Sequence, residues 1–277
     1  MFVNNVMKKM RRYVMLSRDD FWMGNVDAIF YKFRGFEHGF GRKRRVFIDR
    51  KSDILFVAHL DTVKEPRIDK ITEERITGAG FDDRLGCKIA HELSAELHCD
   101  LLLTDLEESG DSTAQWHTLK DYNWICEFDR AGNDVVTYGM ENDRWVEELG
   151  KFWEVNMGMF SDISFMESKC CAMNLGIGYQ HAHSDNSYYD PRVAKEQVML
   201  FRRFFQKHKK NKFIMDEGKR DWLGGSRYNY SDDFYSNSDN YYESGNCSAC
   251  GAWADETIYD TYVCESCIYK LVMGAKV

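Results

Sequence analysis

The residues of this chain best suited to chemistry are histidines and carboxylates set at the ends of apolar runs. Val57-Ala58-His59-Leu60-Asp61 is followed by Gly80-Phe81-Asp82-Asp83, then by Thr104-Asp105-Leu106-Glu107-Glu108. Cys126-Glu127-Phe128-Asp129 and Gln180-His181-Ala182-His183-Ser184 complete the series. Imidazole mixed with carboxylate suits borderline metals such as zinc. Ligands in open α/β sheets gather at the carboxyl ends of strands, where these residues are expected to sit.

Each piece has a physical reading and a bland one. In extended chain, His59 and Asp61 point the same way. A carboxylate beside a ligating imidazole orients the ring and raises its basicity. Asp82-Asp83 follows Gly78-Ala79-Gly80, and glycines let the backbone approach an ion closely. One such carboxylate can bridge two ions, although a paired-acid turn is also common on surfaces. Glu107 and Glu108 are adjacent acids, which ionise together at low cost only beside a cation. One could ligate a metal while the other acts as general base on a water. Alone, they would equally suit a helix amino terminus. Four such constellations in succession make the bland reading of all of them improbable, so a metal site is expected.

In this order the set resembles the co-catalytic di-zinc exopeptidases, a superfamily that includes leucyl and tetrahedral aminopeptidases and related deacylases. The resemblance covers about residues 50–205. It implies that His59 ligates the first metal and Asp61 orients it. Asp82 bridges the metals, with the following peptide bond often cis. Glu107 is the general base, Glu108 and His183 serve the second metal, and Asp129 serves the first. Two alternatives stay open: Asp162 for Asp129, and His181 for His183. The mechanism implied is hydrolysis of an amide or peptide bond by a metal-bridged water. The metals would be two zinc ions, with cobalt or manganese fitting the same ligands. The chain departs from the resemblance in its spacing: His183 follows Asp129 by 54 positions, and Asp82 follows Asp61 by 21. These gaps leave no room for large inserted domains, so a minimal catalytic core is expected, closest to the simple aminopeptidases.

The elements that would position these residues alternate. Strands are expected over 28–33, 46–50, 53–58, 101–104, 124–128, 134–138 and 171–177, and helices over 3–16, 84–97, 142–154 and 191–209. That pattern predicts an α/β fold, a three-layer α/β/α sandwich on a mostly parallel mixed sheet. Residues 1–217 would form the catalytic domain, and 218–246, rich in Tyr, Asp and Ser, a linker. Residues 247–277 would form a zinc ribbon, since Cys247, Cys250, Cys264 and Cys267 spell Cys-x2-Cys…Cys-x2-Cys. Four thiolates close such a site, so its zinc would be structural. Cys87, Cys99, Cys126, Cys170 and Cys171 read as buried thiols.

Composition narrows the partners. The 277 residues are 44% hydrophobic, enough for a sizeable core, and the net charge of −8 argues against general nucleic-acid binding. Without an apolar run of ~20 residues or a secretory signal, a soluble cytoplasmic protein is expected, with no membrane partner. A peptide or small amide is the expected substrate, the ribbon offers a protein-docking surface, and oligomers are compatible with the pattern. Two rival functions remain: deacylation of an N-acyl amino compound, and a non-catalytic metal-binding docking protein.

Overall fold

The computed structural model describes residues 16–158 and 160–216, together with the backbone of four short paired segments between 245 and 262. A helix α1 (Val26–Lys32) comes first, followed by strands β1 (Glu37–His38), β2 (Arg45–Ile48) and β3 (Ile54–His59). A hairpin of β4 (Arg67–Ile71) and β5 (Ile76–Ala79) leads into helix α2 (Phe81–Leu97), then β6 (Asp100–Thr104) and β7 (Trp124–Arg130). Strand β8 (Val135–Val136), helix α3 (Asp143–Leu149), strands β9 (Val155–Asn156), β10 (Ala172–Gly176), β11 (Tyr179–Gln180) and β12 (Tyr188–Tyr189), and helix α4 (Pro191–His208) follow.

Eight strands form one mixed sheet in the order β1-β2-β6-β3-β7-β10-β8-β9. Its centre, β6-β3-β7-β10, is parallel, so the carboxyl ends of these strands share one edge. The α/β class expected from sequence is the class observed. Side chains alternate along these strands. Phe56, Leu101, Leu103, Trp124, Phe128 and Met173 enter one apolar cluster, and Leu55, Val57, Leu102, Ile125 and Ala172 enter the other. Residues of all four α-helices among the described residues pack into the first cluster. The second holds Ala114 and Ile163, from 3-10 turns at Thr113–Trp116 and Asp162–Phe165.

The strand expected over 28–33 is overturned, because Val26–Lys32 is helical. The Asn25 side chain accepts the Asp27 N–H at 2.7 Å, an amino-terminal cap. Ile29, Phe30 and Phe33 are buried on one helical stripe. A short aromatic-rich apolar run does not declare its period in sequence, which is why the two forms look alike there. Helix α3 is also shorter than the 142–154 span expected. The 20 residues between Asp61 and Asp82 are not a plain connection. They carry the β4–β5 hairpin, which joins β11 and β12 in a second sheet ordered β11-β12-β5-β4.

The five cysteines expected as thiols are free and buried. Among the described residues, no helix is long and apolar enough to cross a membrane. The chain divides into units Met1–Gly225 and Ser226–Val277. In the second, Gly245–Asn246 pairs with Trp253–Ala254, and Thr257–Ile258 with Thr261–Tyr262, both antiparallel. Cys247, Cys250, Cys264 and Cys267, residues 3–15 of the expected first helix, and the linker up to residue 244 lie outside the described residues.

Candidate metal centre

His59 is the last residue of β3, and Asp129 lies one residue before the end of the adjacent parallel β7. Glu107 and Glu108 open a 3-10 turn (Glu107–Ser109) just beyond the end of β6. Asp82 and Asp83 have non-helical backbone angles where α2 begins, and the peptide bond between them is cis. Gly80 precedes them at φ +72°, and a Cβ there would stand 2.8 Å from Pro66, so a side chain is excluded on both counts. His183 has φ +64° in the loop joining β11 to β12.

These elements assemble two overlapping groups able to hold a metal ion. One is His59, Asp82 and Asp129; the other is Asp82, Glu108 and His183; within each group the donor atoms lie within 4.8 Å of one another. Asp82 belongs to both. Its Oδ1 is 3.2 Å from His59 Nε2, and its Oδ2 is 3.2 Å from His183 Nε2. Asp129 Oδ1 is 3.4 Å from His59 Nε2, and Glu108 Oε2 is 2.8 Å from His183 Nε2. Glu107 belongs to neither group, yet its Oε2 is 3.8 Å from His59 Nε2.

The supports are specific. His59 Nδ1 lies 3.0 Å from the Asp61 carbonyl and 3.4 Å from its carboxylate, which leaves Nε2 facing the acids. The Asp61 carboxylate also accepts the main-chain N–H groups of Glu107 (3.2 Å) and Glu108 (3.0 Å). One acid therefore both orients the imidazole and fixes the turn that carries the paired glutamates. Asp83 accepts the His59 N–H at 3.3 Å and the Gly86 N–H at 3.0 Å, tying the start of α2 to the end of β3. Asp129 receives the Ser161 hydroxyl at 3.2 Å and the Tyr179 phenol at 3.3 Å, and Asn174 bonds its main chain on both sides.

Of the two alternatives, Asp162 and His181 join neither group. Asp162 is buried, and it accepts the hydroxyls of Thr104 and Ser112 while its N–H donates to Glu127 at 3.1 Å. His181 lies beside the Tyr188 ring, 5.8 Å between centroids. Sequence reasoning missed Glu127, Asn174 and Tyr179. The one available signal was an acid at Glu127 inside a buried strand, two residues before Asp129 and so on the same face.

The electrostatics favour a cation. Burial, followed by the Asp82 charge, pushes the Asp129 carboxyl up to about 7. Burial pushes Glu107 up to about 9, with His59 opposing and the Asp129 and Asp162 charges adding. Burial works against a charged His59, but Asp129, with bonds to Asp61 and Asp82, outweighs it and holds the ring's pKa well above the ordinary range. Bonds to Asp82 and Glu108 raise His183 to about 10. Glu108 Oε1 is buried without a hydrogen-bond partner. More carboxylate is gathered here than the protein's own cations neutralise, and an orphaned oxygen joins it, which is the donor chemistry a divalent ion satisfies.

No family model matches the chain, and no curated protein matches it. Solved structures similar to it include aminopeptidase PepT from Bacillus cereus, at 10% identity and a TM-score of 0.45 over 74% of this chain and 98% of that one. A tripeptidase from Staphylococcus aureus is similar at 10% identity and a TM-score of 0.46, over 73% and 98% respectively. An aminopeptidase from the archaeon Desulfurococcus kamchatkensis is similar at 12% identity and a TM-score of 0.43, over 81% and 98%.

Proposed function

We propose that this protein is a di-zinc hydrolase that cleaves an amide or peptide bond, acting as an aminopeptidase. The observation that carries the reading is Asp82, whose two oxygens face two different imidazoles at 3.2 Å each. A carboxylate so placed suits a bridge between two ions. His59 and Asp129 would complete one ligand set, and Glu108 and His183 the other. Ions held there would supply the charge that acidifies a water and polarises the scissile carbonyl.

The chain's own residues do the rest. Asp61 keeps the His59 ring turned so that Nε2 faces the acids, and through two main-chain bonds it holds the Glu107–Ser109 turn in place. Glu107 takes the proton of the attacking water and returns it to the leaving amine. Its preference for the protonated form, a consequence of burial, makes it an effective acceptor once positive charge beside it lowers that preference. Ser161 and Tyr179 keep Asp129 aimed at His59.

Metal per chain, measured by native mass spectrometry after zinc reconstitution, tests this reading. About three ions are expected in the full chain, and about two after Cys247→Ser/Cys250→Ser, which removes the proposed ribbon zinc. About one ion, lost in that variant, would refute a dinuclear centre. A panel of aminoacyl and N-acyl substrates then separates peptidase from deacylase.

A further inference from the structure

The second sheet carries a polar face that the metal centre does not use. Its register places Lys70 of β4 opposite Thr77 of β5, Thr77 opposite Tyr188 of β12, and Tyr188 opposite Gln180 of β11. Directly paired residues project to the same side of a sheet, so these four side chains form one rung across all four strands. The other face turns Ile76, Tyr179 and Tyr189 into the core, which makes the rung a firm floor. Above it is a cleft of about 560 Å³ that all four residues line, together with Arg75 and Arg192. That volume suits a small organic ligand.

The charges in the cleft are unevenly committed. Arg192 is held by Asp190, Nη2 to Oδ2 at 2.7 Å, so Asp190 is already engaged, while Glu74 stands 4.0 Å from Arg192 with its side chain 79% exposed to water. Among the described residues, Lys70 and Arg75 have no acid partner. The Arg75 guanidinium instead lies over the Tyr188 ring, 3.7 Å from its centroid. Its backbone is pinned by a turn in which Arg75 N–H donates to Thr72 Oγ1 at 2.9 Å. Stacking fixes the plane of the guanidinium and leaves its edge N–H groups free, the geometry in which arginine grips an oxyanion through two parallel bonds.

We propose that this cleft binds a small ligand through a carboxylate or phosphate, held between Lys70 and Arg75, with Thr77 and Gln180 as neutral partners. Two sources share that chemistry. Gln180 lies three residues before His183 and Thr77 five before Asp82, so an acidic group on a substrate is one source. A free anion acting as effector is the other.

The test is calorimetric titration of the intact protein with inorganic phosphate and with succinate. Saturable binding is expected in the wild type, unchanged in Lys64→Gln outside the cleft, and at least about tenfold weaker in Lys70→Gln/Arg75→Gln, since each lost charge-assisted bond is worth roughly a factor of ten. These side chains are exposed, so the variant's melting temperature should match the wild type's and exclude misfolding. Neither probe binding more tightly than about 1 mM would overturn the proposal, as would equal binding by the double variant. Because the titration needs no turnover, its failure is distinct from failure of the hydrolase reading. Where turnover is measurable, a raised KM with unchanged kcat, confined to acidic substrates, identifies the substrate as the source. Intact anion binding without that effect identifies an effector.

Discussion

Removing metal should make the stability of this protein fall steeply as pH rises, and the size of the fall follows from the centre's buried acids. Without a cation, the Asp129 carboxyl titrates near 7 and Glu107 near 9, both raised mainly by burial. In the unfolded chain such groups ionise near 4. Between pH 5 and 7 the folded state therefore holds protons that the unfolded state has released, and stability declines as pH rises. Each retained proton costs about 1.4 kcal/mol per pH unit. A single retained proton over two units gives about 3 kcal/mol, which for a domain of this size is a drop of about 6–12 °C in melting temperature. His59, also raised, acts in the same direction above its unfolded value of ~6.5. His183 adds little, because its side chain is 42% exposed and water screens it. Zinc should flatten the slope by holding the carboxylates ionised in the folded state. The assay is scanning calorimetry from pH 5 to 8, with saturating zinc and with chelator, on Cys247→Ser/Cys250→Ser so that ribbon zinc does not contribute. A melting temperature in chelator that is flat or rising over this range would refute the reasoning, as would identical slopes with and without zinc.

Three further outcomes are expected. Glu107→Gln should keep the metal content and lower kcat by at least about 10²–10⁴-fold, so a near-normal kcat would remove Glu107 as the base. Asp82→Asn leaves one oxygen and an amide nitrogen that ligates poorly, and should drop metal content by about two ions per chain; retention of both ions would mean that Asp82 does not bridge. Gly86→Ala should destabilise the fold by about 3 kcal/mol or more, because the new Cβ would fall 1.8 Å from the Phe128 carbonyl and 2.1 Å from Asp83 Oδ1. That loss is read in a denaturant melt, where an unchanged midpoint would contradict the packing of α2 on β7.

Much of this protein is written in local patterns. The buried strands ending at His59 and Thr104, and the one carrying Asp129, show in sequence because parallel central strands are apolar on both faces and therefore appear as unbroken runs. Helices α2 and α4 show because their long apolar stripes repeat at helical spacing. The acids and histidines stand out because polar residues that interrupt or end such runs have few structural uses. The α1 segment was misread because seven residues are too few to reveal a period, and its helical form depends on the Asn25 cap and on Ile29 and Phe30 packing into the core. The pairing of Thr77 with Tyr188, which joins the Lys70–Thr77 hairpin to the Gln180–Tyr188 pair, could not be read locally either, since these two strands lie more than a hundred residues apart. The same holds for the choice between Asp129 and Asp162. Both are acids next to apolar chain, and what separates them is which oxygens the fold leaves facing His59 and which it surrounds with the hydroxyls of Thr104 and Ser112. Residue type and spacing determined which side chains could serve. The parallel order of β6, β3 and β7 decided which of them meet, because only strand order sets the distances between groups remote in the chain.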